Sequence, residues 1–469
     1  MEKKPENNEI KANGLALVPF LAFILLYLGV GIALEIQGVP MAFYQFPAPV
    51  AVLFGVIMAF IMLKGTISDK VDTFIKGCGE ENIQTMLMIF LLAGAFDSVA
   101  SASGGRDSFV NMGLTFIPVQ FMAAGIFILC CLMSLAIGTS MGTIAALGPI
   151  SIALAQGAGL NLPLVMAAVV SGAMFGDNLA IISDTTIAAT RTIGVQMRDK
   201  FRMNFIIAVP AAIITIALLL VFGRPDTAAP VELGDFNVIK VLPYAIVLVA
   251  ALMGVNVFVV LVGGIILAGI VGMTFGAFEQ GMITFGRTIY SGFLSMMNVF
   301  FTSMFVGGLA AMVRKGGGLQ WLVDNIQKMI KGPKTAELGI AALMTVTDAA
   351  IANNTVACII DGPIAKDIAY KYKVDPRRAC SIMDIFCCVV QGALPYGAQI
   401  LLIVGLAGGA ASAVEVIPLL WYQWLLGVFA ILSIYIPFAN GVTKKNPWDW
   451  ERKMESDMVR KLMKEGKIQ

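Results

Sequence analysis

Asp177 and Asp184 stand seven residues apart in Gly176-Asp177-Asn178, Leu179-Ala180-Ile181-Ile182, Ser183-Asp184-Thr185-Thr186. If one helix runs through, the two carboxylates lie two turns apart on one face. If the helix breaks between them, a second helix starts near Ser183, with exposed N–H groups that invite capping or an anion. Either way the segment offers carboxylate, amide, hydroxyl and carbonyl oxygens, the hard donors that sodium takes. Asp177, Asn178 and Asp184 are the sodium-ligand candidates, with Ser183 and Thr185 beside them. The plainer reading is that Ser183 or Asp184 only caps a helix. The chain has no histidine, so imidazole acid/base chemistry, His-ligated metal and His-based pH switching are excluded. Any proton chemistry falls to carboxylates.

Three other places carry polar or helix-breaking residues in apolar surroundings. Gly138-Thr139-Ser140-Met141-Gly142-Thr143 and Ala352-Asn353-Asn354-Thr355 interrupt apolar stretches, and their hydroxyls and amides can meet a cation or a substrate carboxylate. Small polar residues are also common helix-packing glue in membranes. Gln391-Gly392-Ala393-Leu394-Pro395-Tyr396-Gly397 has no carboxylate. Its Pro395 and Gly397 break a helix and free carbonyls, which a membrane tolerates where they line a protein-enclosed cavity. Further acidic candidates are Asp97, Asp348, Asp361 and Asp384, with Asp348 the favoured second-half carboxylate because it lies five residues before Asn353 in an apolar helix.

The elements that must position these groups follow from composition. Of 469 residues, 58% are hydrophobic and 13% charged, against about 25% charged in soluble domains. Apolar runs recur from Leu15 to Phe438, so the chain reads as an all-α polytopic membrane protein. A carboxylate at bilayer depth costs roughly 2.5–3.5 kcal/mol, so its retention needs a partner, water or an ion. The net charge of +2 gives no reason to expect nucleic acid, and the seven cysteines show no metal-ligand spacing. Candidate spans fall at 15–36, 47–63, 85–103, 162–192, 204–222, 238–253, 256–274, 291–312, 376–406 and 415–438, with 119–157 and 335–365 as interrupted stretches. Lys and Arg cluster at 1–13, 64–76, 191–202, 314–334, 366–378 and 444–467. With both termini cytoplasmic, that pattern fits ten full spans plus two hairpins, or fourteen spans if the interrupted stretches cross fully. Trp448 and Trp450 are expected to anchor the tail at the cytoplasmic interface.

The halves resemble each other. SASGGRDSFVNMG (101–113) answers to VRKGGGLQWLVDN (313–325), GTSMGTIAALGP (138–149) to ANNTVACIIDGP (352–363), and FGDNLAIISDTT (175–186) to VVQGALPYGAQI (389–400). Segment 64–84 is cytoplasmic by charge and its counterpart at 275–290 is outside, so the repeats are inverted. The expected organisation is a cytoplasmic tail (1–14), a first inverted repeat (15–222), an extracytoplasmic linker (223–237), a second inverted repeat (238–438) and a cytoplasmic tail (439–469). Inverted repeats with broken helices are transporter architecture, with the site near the midplane.

FGDNLAIISDTTIAAT (175–190) with RDKFRMN (198–204), IANNTVACIIDGPIA (351–365) and DPRRACSIMDIFCCVVQGALPYGAQ (375–399) resemble the signature blocks of NhaC-type sodium/proton antiporters of the ion transporter superfamily. Members usually have Ser-Pro or Ser-Phe where this chain has Ala180-Ile181. The resemblance implies a bacterial inner-membrane antiporter, carrying Na⁺ without a resident cofactor, in a superfamily whose carriers are often homodimers. Carried over by position, it points to Thr139, Ser140, Asp177, Asn178, Ser183, Asp184, Thr185, Asn353, Asn354, Thr355, Pro395 and Gly397. The alignment of the two halves adds Gln391, opposite Asp177.

Three functions compete. In the first, sodium exchanges for protons at one midplane carboxylate, Asp177, by alternating access. In the second, sodium couples to symport or exchange of an amino acid or small carboxylate. The third is an intramembrane aspartyl protease using Asp177 with Asp348 or Asp384, which requires two carboxyls sharing a proton.

Overall fold

The computed structural model describes residues 11–37, 39, 45–116, 118–180, 183–225, 235–253 and 255–465. Most of the expected N-terminal tail, residues 226–234 of the expected linker, Ile181 and Ile182 of the first break, and the last residues of the C-terminal tail lie outside these.

Among the described residues, a 3-10 turn (Gly14–Leu17) leads into α1 (Val18–Ile36), and α2 (Ala48–Met62) follows. Then come α3 (Ile67–Cys78), α4 (Glu81–Ala102) and α5 (Gly105–Phe116). A hairpin of α6 (Met122–Ile137) and α7 (Ser140–Gly157) leads to a broken pair, α8 (Leu162–Leu179) and α9 (Asp184–Ile193), and then to α10 (Met197–Phe222). The series then repeats. Helices α11 (Val238–Leu252) and α12 (Val257–Thr274) precede α13 (Met282–Ser295), α14 (Met297–Lys315) and α15 (Gly318–Met329). The second hairpin is α16 (Pro333–Ile351) and α17 (Asn354–Tyr372), and the second broken pair is α18 (Pro376–Ala393) and α19 (Ala398–Leu406). The one-turn helix α20 (Ala413–Val416) leads to α21 (Trp421–Tyr435). Beyond it lie α22 (Gly441–Lys445), a two-stranded hairpin of β1 (Trp448–Asp449) and β2 (Met454–Glu455), and α23 (Ser456–Lys464).

Local sequence explains the matched ends. Asn161 Oδ1 accepts from Leu164 N at 3.0 Å to start α8, and Asp375 Oδ1 accepts from Arg377 N at 2.9 Å to start α18. Each has a proline in its first turn, where no N–H is needed. At the hairpin tips the chain reverses through a left-handed residue, Gly138 (φ 78°) in the first and Ala352 (φ 54°) in the second.

Among the described residues, nine helices are long and apolar enough to cross a membrane, or ten if the bent pair α20–α21, with its intervening 3-10 turn, counts as one. The chain is therefore a multi-pass membrane protein. Large apolar side chains such as Leu25, Val259, Ile266 and Ile270 point outward, as a lipid-facing wall requires. The broken pair α8–α9 is the most enclosed of the candidate spans among the described residues. Gly172 and Gly176 on α8 let α6 approach closely, since a Cβ at Gly176 would strike Ser134. Ser134 Oγ donates to Ala173 O at 2.6 Å across that contact.

Two expectations need correcting. The span expected at 204–222 begins at Met197, because Lys200, counted among the loop charges at 191–202, is buried with Asp199 in its first turns. Trp448 does not anchor at an interface. It is buried, with the Arg377 guanidinium 5.8 Å from its ring, and Trp450 packs edge-on against Tyr370.

Candidate functional site

Both hairpin tips end against the breaks of the two broken helices. The four segments enclose a cavity of about 90 Å³. From the first half it is lined by Gly138, Thr139, Ser140, Met141, Asp177, Asp184 and Thr185, with Thr85, Met86 and Ile89 of α4 closing one side. Asn353, Asn354, Thr355, Gln391 and Gln399 come from the second half.

A hydrogen-bond chain crosses this space. Gln391 Nε2 donates to Gln399 Oε1 at 2.9 Å, Gln399 Nε2 to Ser140 Oγ at 3.1 Å, and Ser140 Oγ to Asp177 Oδ2 at 3.0 Å. The other carboxylate oxygen, Oδ1, accepts from Ser183 Oγ at 2.6 Å, and Ser183 Oγ lies 2.8 Å from Thr185 Oγ1. Both breaks and the first hairpin tip are thus tied to one carboxylate. Asp177 is only 5% exposed, whereas Asp184 is exposed at the cavity's rim.

Backbone ends add partial charges. Helices α7, α9, α17 and α19 start at this cavity, bringing N–H groups, and α6, α8, α16 and α18 end there, bringing carbonyls. The site therefore offers a cation carboxylate, hydroxyl and carbonyl oxygens, and offers an anion helix N-termini.

Residues 5–224 and 228–440 match the Na+/H+ antiporter family. The chain belongs to that family. Relatives agree in kind. The "Malate-2H(+)/Na(+)-lactate antiporter" of Bacillus subtilis is 25% identical over 92% of this chain and 97% of its own length. "Na(+)/H(+) antiporter NhaC" of the same organism is 23% identical over 77% of this chain and 84% of its own. "Arginine/ornithine antiporter ArcD" of Halobacterium salinarum is 23% identical over 91% of this chain and 92% of its own. This member of the Na+/H+ antiporter family is accordingly a secondary transporter.

Within this antiporter-family chain, not every residue singled out from sequence faces the cavity. Thr139, Ser140, Asp177, Asp184, Thr185, Asn353, Asn354, Thr355 and Gln391 line it. Ser183 reaches it through Asp177. The Asn178 side chain turns away, donating from Nδ2 to Asp384 Oδ2 at 3.1 Å. Pro395 and Gly397 shape the second break without lining the space. Tyr396 between them packs edge-on against Phe20 and Phe23 of α1. Asp348 is fully buried, away from the cavity lining, and Thr347 Oγ1 donates to Asp361 Oδ1 at 3.1 Å nearby. Among the described residues the Asp177 oxygens are held by Ser140 and Ser183, and no hydrogen bond joins them to Asp348 or Asp384, the pairing that a protease dyad requires. Asp384 is engaged by Lys200 at 2.7 Å.

Sequence reasoning missed Gln399, Lys200 and Asn204. Gln399 stands opposite Thr185 in the matched blocks 175–186 and 389–400, so the alignment held its signal. For Lys200 the signal is helical periodicity: Lys200, Met203, Asn204, Ile207, Ala208 and Ala211 form one buried stripe on α10. A lysine and an asparagine one turn apart on an apolar stripe are turned inward together.

Proposed function

We propose that this chain exchanges sodium for protons, with Asp177 binding either ion while the two repeats alternate access. The observation that supports it best is the placement of Asp177: one buried carboxylate, each oxygen held by a serine hydroxyl, facing a small cavity between both hairpin tips and both breaks. One carboxylate that must hold either Na⁺ or H⁺ gives obligatory exchange without further machinery. Sodium would draw on Asp177, the Ser140 and Ser183 hydroxyls and carbonyls freed by the break, and Asp184 at the rim would meet it on entry. A proton arriving from the other side competes for the same oxygens. A volume of about 90 Å³ suits an ion with a few waters.

Reconstituted protein tests this directly. A sodium pulse should shift the internal pH of dye-loaded proteoliposomes, and Asp177→Asn should abolish the shift. Unaltered exchange in Asp177→Asn would sink the proposal.

A second reading, sodium-coupled transport of an amino acid or small carboxylate, is favoured by one feature. Helix N-termini of α7, α9, α17 and α19 converge beside the carboxylate, and their N–H groups suit a solute's carboxylate. The names of two relatives, for malate and lactate and for arginine and ornithine, point the same way. Labelled-solute uptake that tracks sodium, with no sodium-driven pH change when solute is absent, would select this reading. In either case the Lys and Arg pattern supports both termini on the cytoplasmic side, and a bacterial inner membrane location is what the family resemblance implies. A homodimer is the assembly that the superfamily resemblance suggests.

A further inference from the structure

Behind the Asp177 break, on the side away from the cavity, Lys200 Nζ sits among oxygens of the kind a metal cation takes. It donates to Asn178 O at 2.5 Å, to Thr186 Oγ1 at 2.6 Å, and meets Asp384 Oδ2 at 2.7 Å. Carbonyl, hydroxyl and carboxylate are the donor set of hard-cation sites. The Asn178 carbonyl belongs to the last turn of α8, where the break leaves backbone oxygens without helical partners. Thr186 Oγ1 donates to Ala180 O at 2.9 Å, which leaves its lone pairs to the ammonium. Lys200 and Asp384 are both fully buried.

Two further oxygens stand ready. Asp384 Oδ1 and Asn178 Oδ1 are buried and have no hydrogen-bond partner among the described residues, so the shell holds more oxygens than the three N–H groups of an ammonium use. The pocket is also braced from outside: Asn204 Nδ2 donates to Asp384 Oδ2 at 2.8 Å, and Ser381 Oγ donates to Asn204 Oδ1 at 2.6 Å. A buried ion pair by itself adds little net stability over a well-packed apolar pair. Here, however, the lysine ties the two pieces of the first broken helix, α8 and α9, to α18 of the second.

We propose that the Lys200 ammonium is a tethered cation holding a second monovalent-cation position, one residue along the chain from the Asp177 site. Because it never leaves, the protein carries one cation fewer per cycle than its oxygen donors would accept. Removing the tethered charge should open that position to sodium. The statement about transport rests on the reading of Asp177 as the transported-cation site, but the statement about binding does not.

The test is the thermal stability of the purified full chain titrated with sodium chloride, with choline chloride as the ionic-strength control. Lys200→Ala should gain a saturable, sodium-specific rise in Tm, since a ligand bound only to the folded state stabilises it. That gain should persist in Lys200→Ala/Asp177→Asn and vanish in Lys200→Ala/Asp384→Asn. In proteoliposomes the sodium dependence of Lys200→Ala should steepen, its Hill coefficient rising above that of the unaltered protein. A sodium response equal in Lys200→Ala and Lys200→Ala/Asp384→Asn overturns the proposal. So does a Lys200→Ala chain that cannot be purified even in sodium, because sodium then fails to replace the ammonium. If the unaltered protein ignores sodium while the Asp384-dependent gain appears, the Asp177 reading falls and this one stands.

Discussion

The two broken helices are built alike and equipped differently. Four residues separate α8 from α9 (180–183) and four separate α18 from α19 (394–397), and Asp177 and Gln391 occupy matching places before each break. In the first half that place holds a charge with hydroxyls on both oxygens. The second half has a neutral amide there, passing a hydrogen bond through Gln399 towards that same charge. Geometry was duplicated and chemistry was not. Two facing carboxylates in one small buried cavity would repel and would double the desolvation cost. A single buried charge with a neutral partner, and Asp184 exposed at the rim, leaves one ion position that both repeats can reach.

Changes at the charged break should have the largest effects. Asp177→Asn keeps the shape and removes the charge, so sodium-driven pH change in proteoliposomes should fall by about 100-fold or more, since the group exchanging ions is gone. Equal loss in Gln391→Leu would break the comparison. Next come the hydroxyls. Ser183→Ala and Ser140→Ala each remove a hydrogen bond to a charged acceptor, about 1.5–3 kcal/mol. Apparent sodium affinity should therefore weaken about 10- to 100-fold in transport assays, more for Ser183, whose contact is shorter. Gln391→Leu cuts the neutral relay and should cost about 3- to 10-fold, in line with a single neutral hydrogen bond.

The hairpin tips extend the comparison to stability. Gly138 and Ala352 share a left-handed backbone, but only Ala352 carries a side chain there. Ala352→Gly should relieve about 1 kcal/mol and Gly138→Ala should cost a similar amount, measured by thermal or denaturant unfolding in detergent.

The smallest effect lies outside the membrane, and it separates tail from site. Glu455 is buried against Asp199 and near Asp375, with Arg377 partly compensating, and burial first, then Asp199, pushes its carboxyl up to about 7. A carboxyl with a raised folded value stabilises the docked tail at low pH, and that contribution is lost as pH rises from the unfolded value near 4.5 through about 7. Hydrogen exchange over 446–465 should accelerate across that window and become flat in Glu455→Gln. The transport pH profile should stay unchanged in that variant, because the tail does not line the cavity.

Sequence by itself determined a great deal about this protein. Low charge and recurring apolar runs gave the polytopic helical class, since a bilayer leaves the backbone no other way to satisfy its hydrogen bonds. Matched blocks gave the two series of elements, and polar residues at Asp177, Ser140 and Asn353 stood out because apolar surroundings make such residues costly. Tertiary structure alone decided which of them meet. Gln391 and Ser140 are joined through Gln399 from opposite halves of the chain, and no periodicity records a contact at that separation. It also decided which way each side chain turns at a break, where helical phase is lost: Asp177 faces the cavity, while Asn178, the next residue, faces Asp384. Lys200 marks the limit most sharply. Charge counting put it in a loop, but the packing of α8, α9 and α18 around it made it an interior cation, because three oxygens from those helices together replace its water.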